Sequence, residues 1–194
     1  MESEYRNIIS NGIPACAISY LDSRRLSIAS ILRFGVGYAD SSWWFPFHDK
    51  SNKLVGLKYR NGKTKGTWAQ NHRVRSPGWF GVPCIDYSLP YIIITEGEWD
   101  AIAIDCVGIK NSISLPYGAM SSIGQDMIDV ISGFKKVIVA VDNDEYGNRK
   151  ARDLIGLTNG TRAIFGSNKD ANDALIAGFT HYDFMQSMNL GEYI

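Results

Sequence analysis

Cysteine is scarce in this chain, and its placement excludes two classes of fold. Cys16, Cys84 and Cys106 are far apart and form no CxxC pair. That spacing argues against a disulfide scaffold and against a structural zinc site. The three are expected as reduced thiols of a cytosolic protein. Long apolar runs are also missing: no stretch is long enough to cross a membrane, and the polar opening MESEYRNI is not a signal peptide. There is no low-complexity tract and no internal repeat. Net charge is absent too, since 20 Lys and Arg balance 20 Asp and Glu. What is present is an ordinary globular composition over 194 residues, 45% hydrophobic and 21% charged. That length holds one large domain or two small ones.

The charge balance hides an asymmetry. Residues 1–90 carry 12 basic and 6 acidic residues, whereas residues 91–194 carry 8 basic and 14 acidic ones. Between Lys50 and Arg75 eight basic residues (Lys50, Lys53, Lys58, Arg60, Lys63, Lys65, Arg73, Arg75) occur without one acid. Trp43, Trp44, Tyr59, Trp68, Trp79 and Phe80 lie in or beside this segment. Cations mixed with aromatics suit phosphate contact and base stacking; the plain alternative is a solvated lysine-rich hairpin with some of the aromatics in the core.

Two stretches of the acidic half carry the chemistry. Tyr91–Asp105 reads YIIITEGEWDAIAID. Its β-branched run predicts a buried strand, and the apolar pattern after Gly97 predicts a helix. Glu96 therefore sits where a buried strand hands over to a helix, with Gly97 permitting the turn. In open α/β sheets the carboxyl ends of the strands are where ligands bind. The alternative is that Glu96 and Glu98 merely complement a helix dipole. Lys136–Gly147 reads KVIVAVDNDEYG, again a buried strand, ending in Asp142 and Asp144. Two carboxylates spaced by two residues can face one hard cation such as Mg²⁺, or they can belong to a surface turn. The two units are 46 positions apart, and their combination is far more specific than either alone.

TEGEWD, VDNDEYG and the later NKDANDAL (Asn168–Leu175) resemble the signature of the Toprim family, which includes primases, topoisomerases of types IA and II, and some nucleases. The string FPFHDKSNKLVGLKYR, Phe45–Arg60, resembles the hairpin that precedes the Toprim fold in primases, and the Tyr117–Met120 segment matches their Gly-Ala loop. The likeness is to the primase part of phage primase-helicases and to bacterial replicative primases. It implies an α/β Toprim fold, Rossmann-like, with a mostly parallel sheet flanked by helices, preceded by a small α+β basic lobe. Residues 1–88 are expected to form that lobe and residues 89–194 the Toprim catalytic domain. In NKDANDAL the second carboxylate of the bacterial primase pattern is an amide, Asn172, while Asp173 either substitutes for it or caps the following helix.

The resemblance implies a DNA primase core that joins ribonucleoside triphosphates into short RNA primers on single-stranded DNA. Glu96, Asp142, Asp144 and Asp170 are the implied metal ligands for Mg²⁺ (or Mn²⁺). Glu96 is either ligand or general base. Asp100, one helical turn on, either faces the same site or supports the helix start. Lys58, Arg60, Lys63 and Lys65 would hold triphosphate or template. No Cys/His zinc ribbon and no GxxxxGK[ST] phosphate loop occur, so a minimal primase or a piece of a longer enzyme is expected, with a replicative helicase as partner, in the cytoplasm of a bacterial or phage-infected cell. A Toprim nuclease and a non-catalytic nucleic-acid-binding module are the alternatives.

Along the rest of the chain, a short helix is expected from Ser3 to Ile9 and a helical pattern through Leu21–Leu32, neither with a catalytic signature. A strand is expected over Trp43–Phe47, a turn over His48–Asn52 with His48 at the surface, a returning strand over Lys53–Arg60, a turn at Asn61-Gly62 and a third strand over Lys63–Gln70. Loops are expected at Pro77-Gly78 and Gly81–Pro83.

Overall fold

The computed structural model of the chain describes residues 1–61, 67–68 and 78–191. Three helices lead: α1 (Glu2–Ser10), α2 (Ala15–Ser23) and α3 (Ile28–Arg33). The helical pattern through Leu21–Leu32 is divided between two helices because Arg25 takes a left-handed conformation (φ 55°) and Ser27 caps a new start, accepting from the Ser30 amide. Leu21, Leu26 and Ile31 still share one buried face.

Five short strands follow: β1 (Gly37–Ala39), β2 (Ser42–His48), β3 (Leu54–Arg60), β4 (Thr67–Trp68) and β5 (Trp79–Phe80). All their mutual pairings are antiparallel. Then strands and helices alternate: β6 (Tyr91–Thr95), α4 (Glu98–Cys106), β7 (Ser112–Ser114), α5 (Gln125–Ile131), β8 (Lys136–Ala140), α6 (Glu145–Thr158), β9 (Thr161–Arg162), α7 (Ala171–Ile176) and α8 (His181–Ser187). Strands β7, β6, β8 and β9 are parallel neighbours in that order.

Among the described residues the strands form one sheet in the order β4-β3-β2-β5-β7-β6-β8-β9, with β1 on β2. The junction is β5. It pairs with β2 through Phe47↔Phe80 and with β7 through Phe80↔Ser114. The sequence around it, rich in Gly and Pro, reads as loop; a two-residue strand is too short to show periodicity, and burial of Trp79 and Phe80 (both 0% exposed) is what holds it. The Trp79 indole N–H also donates to the Met127 carbonyl at 3.0 Å.

The central strands are buried on both faces, as their unbroken apolar runs predict. Alternation splits them between two cores: Ile93 and Ile138 face α4, α7 and α8, whereas Ile92, Ile94, Val137 and Val139 face α5 and α6. Truncating Ile93 or Ile138 to Ala would cost about 2–5 kcal/mol, since neither is exposed.

His48 departs from its expected place. It closes β2 and is buried (8% exposed), and its Nδ1 has no hydrogen-bond partner among the described residues. Burial lowers its pKa. The turn starts one residue later, where the Asp49 carboxylate accepts from the amides of Ser51 and Lys53. The β3 strand bulges at Val55, between the Phe47↔Gly56 and His48↔Leu54 pairs, while His48 stays in register with Trp79 of β5, so strand pairing buries it, which a count of turn-forming residues does not reveal. No helix among the described residues is long and apolar enough to cross a membrane.

Candidate active site

The carboxyl ends of β6 and β8 lie side by side, because Thr95 pairs with Ala140. Glu96 follows the first strand and Asp142 the second, so parallel pairing alone brings these acids together. Two glycines let the backbone close around them. Gly97 is extended (φ −114°), a conformation open to any residue, so turn geometry is not the reason for glycine here. The reason is space: a Cβ would lie 2.8 Å from Asp100 Oδ2. At Gly147 a Cβ would lie 2.1 Å from the Asp142 carbonyl oxygen. Asp144 is the N-cap of α6, its Oδ1 accepting from the Gly147 amide at 2.9 Å.

Asp100, Asp142 and Asp170 come from α4, the β8–α6 turn and the N-cap of α7. Each offers an oxygen, and these oxygens lie within 4.8 Å of one another. Asp100 is buried, and its carboxyl stands well above the ordinary range, first because burial penalises its charge, then because Asp170 and Asp142 repel it. Its Oδ1 accepts from the Asn172 amide at 3.0 Å. Asp142 is also raised, mainly by burial. Lys169 Nζ sits 2.6 Å from Asp142 and 3.7 Å from Asp144. Asp142 holds that ammonium protonated, raising its pKa, yet stays raised itself. One half-exposed lysine does not outweigh burial plus two neighbouring acids. Asp144, by contrast, is lowered by the Gly147 amide.

Glu96 is raised by burial and by Asp142. Backbone groups of Ala119 and Asp142 hydrogen-bond it, and its Oε2 is buried without a partner among the described residues. Beside the cluster, half-buried Arg162 donates to the Asp142 carbonyl (2.8 Å) and to Asn148 Oδ1 (3.3 Å), supplying positive charge. The all-oxygen donor set fits a hard divalent cation: three mutually repelling carboxylates and an orphaned glutamate oxygen are the groups a cation would relieve.

The acids line a cleft of about 750 Å³ whose other walls carry Arg24, Lys58 and Arg60. Lys58 and Arg60 are on β3, as expected. Lys58 is not free: its Nζ is 2.6 Å from Glu98 Oε1 and 3.2 Å from the Pro116 carbonyl. Lys63 and Lys65 lie outside the described residues, and Lys50 is spent elsewhere, 2.6 Å from Asp129. Three contributors go beyond the expected site residues, although Asn172 stood in the NKDANDAL motif as the amide in place of a carboxylate. Arg24 closes the cleft from the end of α2, its guanidinium packed on Tyr20 and Trp99 and donating to Asn172 Oδ1 at 2.6 Å. Asn172 returns a bond to the Arg24 carbonyl while its own amide orients Asp100. Glu98 is buried in the Lys58 pair. Arg24 and Asn172 are 148 residues apart, and no local pattern announces such a contact. For Glu98 no local pattern showed that it faces Lys58 of β3.

A family model described as Toprim-like matches residues 93–175. No curated protein matches the chain in sequence. The fold is similar to several solved primases. The primase fragment of the bacteriophage T7 primase-helicase protein is 21% identical (TM-score 0.70), the match covering 86% of this chain and 72% of that one. The E. coli primase catalytic core is 17% identical (TM-score 0.73; 97% and 77%). A DnaG primase catalytic domain bound to single-stranded DNA is 18% identical (TM-score 0.76; 98% and 77%). The chain thus contains a Toprim-like domain within the fold of primase catalytic cores.

Proposed function

We propose that the chain is the RNA-polymerase core of a DNA primase, joining ribonucleoside triphosphates into short primers on a single-stranded DNA template. The observation that carries this is the convergence of Asp100, Asp142 and Asp170 within 4.8 Å at the foot of a cleft whose far wall is cationic. The primase fold supports it. In this reading residues 1–88 supply the basic wall and residues 89–194 the catalytic domain, and a replicative helicase presents the template in the cytoplasm of a bacterial or phage-infected cell.

In nucleotidyl transfer a 3′-hydroxyl attacks the α-phosphorus, a P–O bond forms, and the bond to pyrophosphate breaks. Asp100, Asp142 and Asp170 would hold Mg²⁺ or Mn²⁺, which when bound would supply positive charge to the phosphate oxygens and the leaving group. Asp144 acts from the rim, through the α6 cap and Lys169. Glu96, half-buried at the cleft wall and raised above the ordinary carboxylate range, accepts the proton of the attacking hydroxyl. Arg24, Lys58 and Arg60 align triphosphate and template, which is where most of the barrier is lowered besides charge.

The test is incubation with single-stranded DNA, labelled ribonucleoside triphosphates and Mg²⁺ or Mn²⁺. Oligoribonucleotides that disappear with Asp142→Ala support the proposal. Shortened DNA without extension product would instead make the protein a nuclease.

A further inference from the structure

Lys58 and Glu98 form a close charged pair at the cleft wall. Nζ and Oε1 are 2.6 Å apart, and the side chains are 14% and 4% exposed. The lysine comes from β3 and the glutamate from the first turn of α4, so the pair ties the antiparallel half of the sheet to the helix that carries Asp100. Both residues line the cleft beside Pro116, whose carbonyl accepts a second bond from the same ammonium at 3.2 Å. The Phe47 ring lies 6.0 Å away on the side of the strand. Among the described residues that ammonium has two fixed acceptors and an aromatic wall, and its third proton can be offered to a ligand in the cleft.

We propose that Glu98 is a positioning residue: it fixes the Lys58 ammonium at the cleft wall, so that the triphosphate of the incoming nucleotide meets a pre-placed donor. The idea rests on the nucleotidyl-transfer reading above. A free lysine on an exposed strand keeps its rotamer freedom until a ligand arrives, and ordering it then weakens binding. Glu98 completes that ordering during folding. A pair this deeply buried is a poor source of stability, since matched apolar residues of similar size often serve as well. Placement of the charge at the cleft wall gives the pair a use that stability alone does not. The arrangement also separates two kinds of cation in the cleft. Lys58 is held by an acid of the catalytic helix, whereas Arg24 is held by an amide, Asn172, and two aromatic rings.

Binding and stability together test this. Equilibrium dialysis of ATP with Ca²⁺ reads triphosphate affinity without turnover, and thermal melts read folding, for wild type, Glu98→Leu, Lys58→Met and the double variant. Loss of one charge-assisted hydrogen bond corresponds to about a ten-fold rise in Kd. Each single variant is expected to melt lower than wild type, because it leaves a buried charge unpaired, and to show that rise. The double variant should recover most of the melting temperature yet keep the same ten-fold rise, not its square. Glu98→Gln, which retains an acceptor, should lie near wild type in Kd. Wild-type Kd in Glu98→Leu, or a multiplied rise in the double variant, would overturn the positioning role even if primers are made. A wild type that binds no triphosphate would overturn it as well. Triphosphate binding and the expected cycle without primer synthesis would instead sink only the polymerase reading.

Discussion

The carboxylate cluster sets a stability cost that one substitution relieves. Asp100, Asp142 and Asp170 approach within 4.8 Å. At that separation two like charges in an effective dielectric of about 20 repel by about 3 kcal/mol. Part of this is avoided because the folded protein retains a proton on the cluster, Asp100 being raised by burial and then by Asp170 and Asp142. Replacing Asp100 with Asn keeps an oxygen for the Asn172 amide and removes the charge. After that discount a gain of about 2 kcal/mol remains in chelator at neutral pH, or roughly 4–8 °C in Tm for a chain of this size. The gain depends on pH with a definite sign. A carboxyl raised in the folded state makes that state bind protons more tightly than the unfolded one. Stability then falls as pH rises from the unfolded toward the folded pKa, by up to about 1.4 kcal/mol per unit. The Tm gap between Asp100→Asn and wild type should therefore be small near pH 4 and widen upward. Calorimetry in EDTA across that range is the assay. Saturating Mn²⁺ should reverse the order, since wild type gains about 2.7 kcal/mol at a hundred times Kd while the variant gains less. An Asn variant that melts at or below wild type in EDTA at pH 7, or a gap that does not change with pH, would refute the reasoning.

Other perturbations follow from the same geometry. Gly147→Ala lies within α6, where alanine ordinarily adds about 1 kcal/mol. Here its Cβ would meet the Asp142 carbonyl at 2.1 Å, so a loss of about 1–3 kcal/mol and weaker Mn²⁺ binding are expected; denaturant melts showing a gain would contradict this. Lys169→Met removes the ammonium that competes for Asp142. Because that lysine is half exposed, a modest two- to five-fold tightening of Mn²⁺ binding by titration calorimetry is expected, with lower stability in chelator, and weaker Mn²⁺ binding would count against it. Arg24→Met should raise the Km for triphosphate and loosen α7, so that backbone exchange at Asn172 quickens; unchanged exchange would detach Arg24 from Asp100.

The local half of this molecule was legible in its sequence, and the reason is its parallel sheet. Ile92–Thr95 and Val137–Val141 are uninterrupted apolar runs because both faces of those strands are covered, and the acids placed directly after them can only gather at one sheet end. Asp100 was divided between a site role and a helix-start role; helical spacing allows both, and only the approach of Asp170 from α7 places it in the cluster. The antiparallel half was harder. Pairing with β5 buried His48, and that two-residue strand between glycines joined the two halves through Trp79 and Phe80. Arg24 was invisible because its meaning lies in a partner 148 residues away. Glu98 was read as a helix-start acid, and its pairing with Lys58 depends on sheet register across the cleft. Lys63 and Lys65 fall outside the described residues and keep only their sequence-based expectation.

Acids from α4, the β8–α6 turn and the N-cap of α7 meet as one candidate cation site. Anomalous diffraction from crystals soaked in Mn²⁺ tests it most directly. The expected result is a peak bounded by Asp100, Asp142 and Asp170 that vanishes in Asp142→Ala crystals treated alike. A peak coordinated elsewhere, or none at millimolar Mn²⁺ with Lys169 still bound to Asp142, would contradict it.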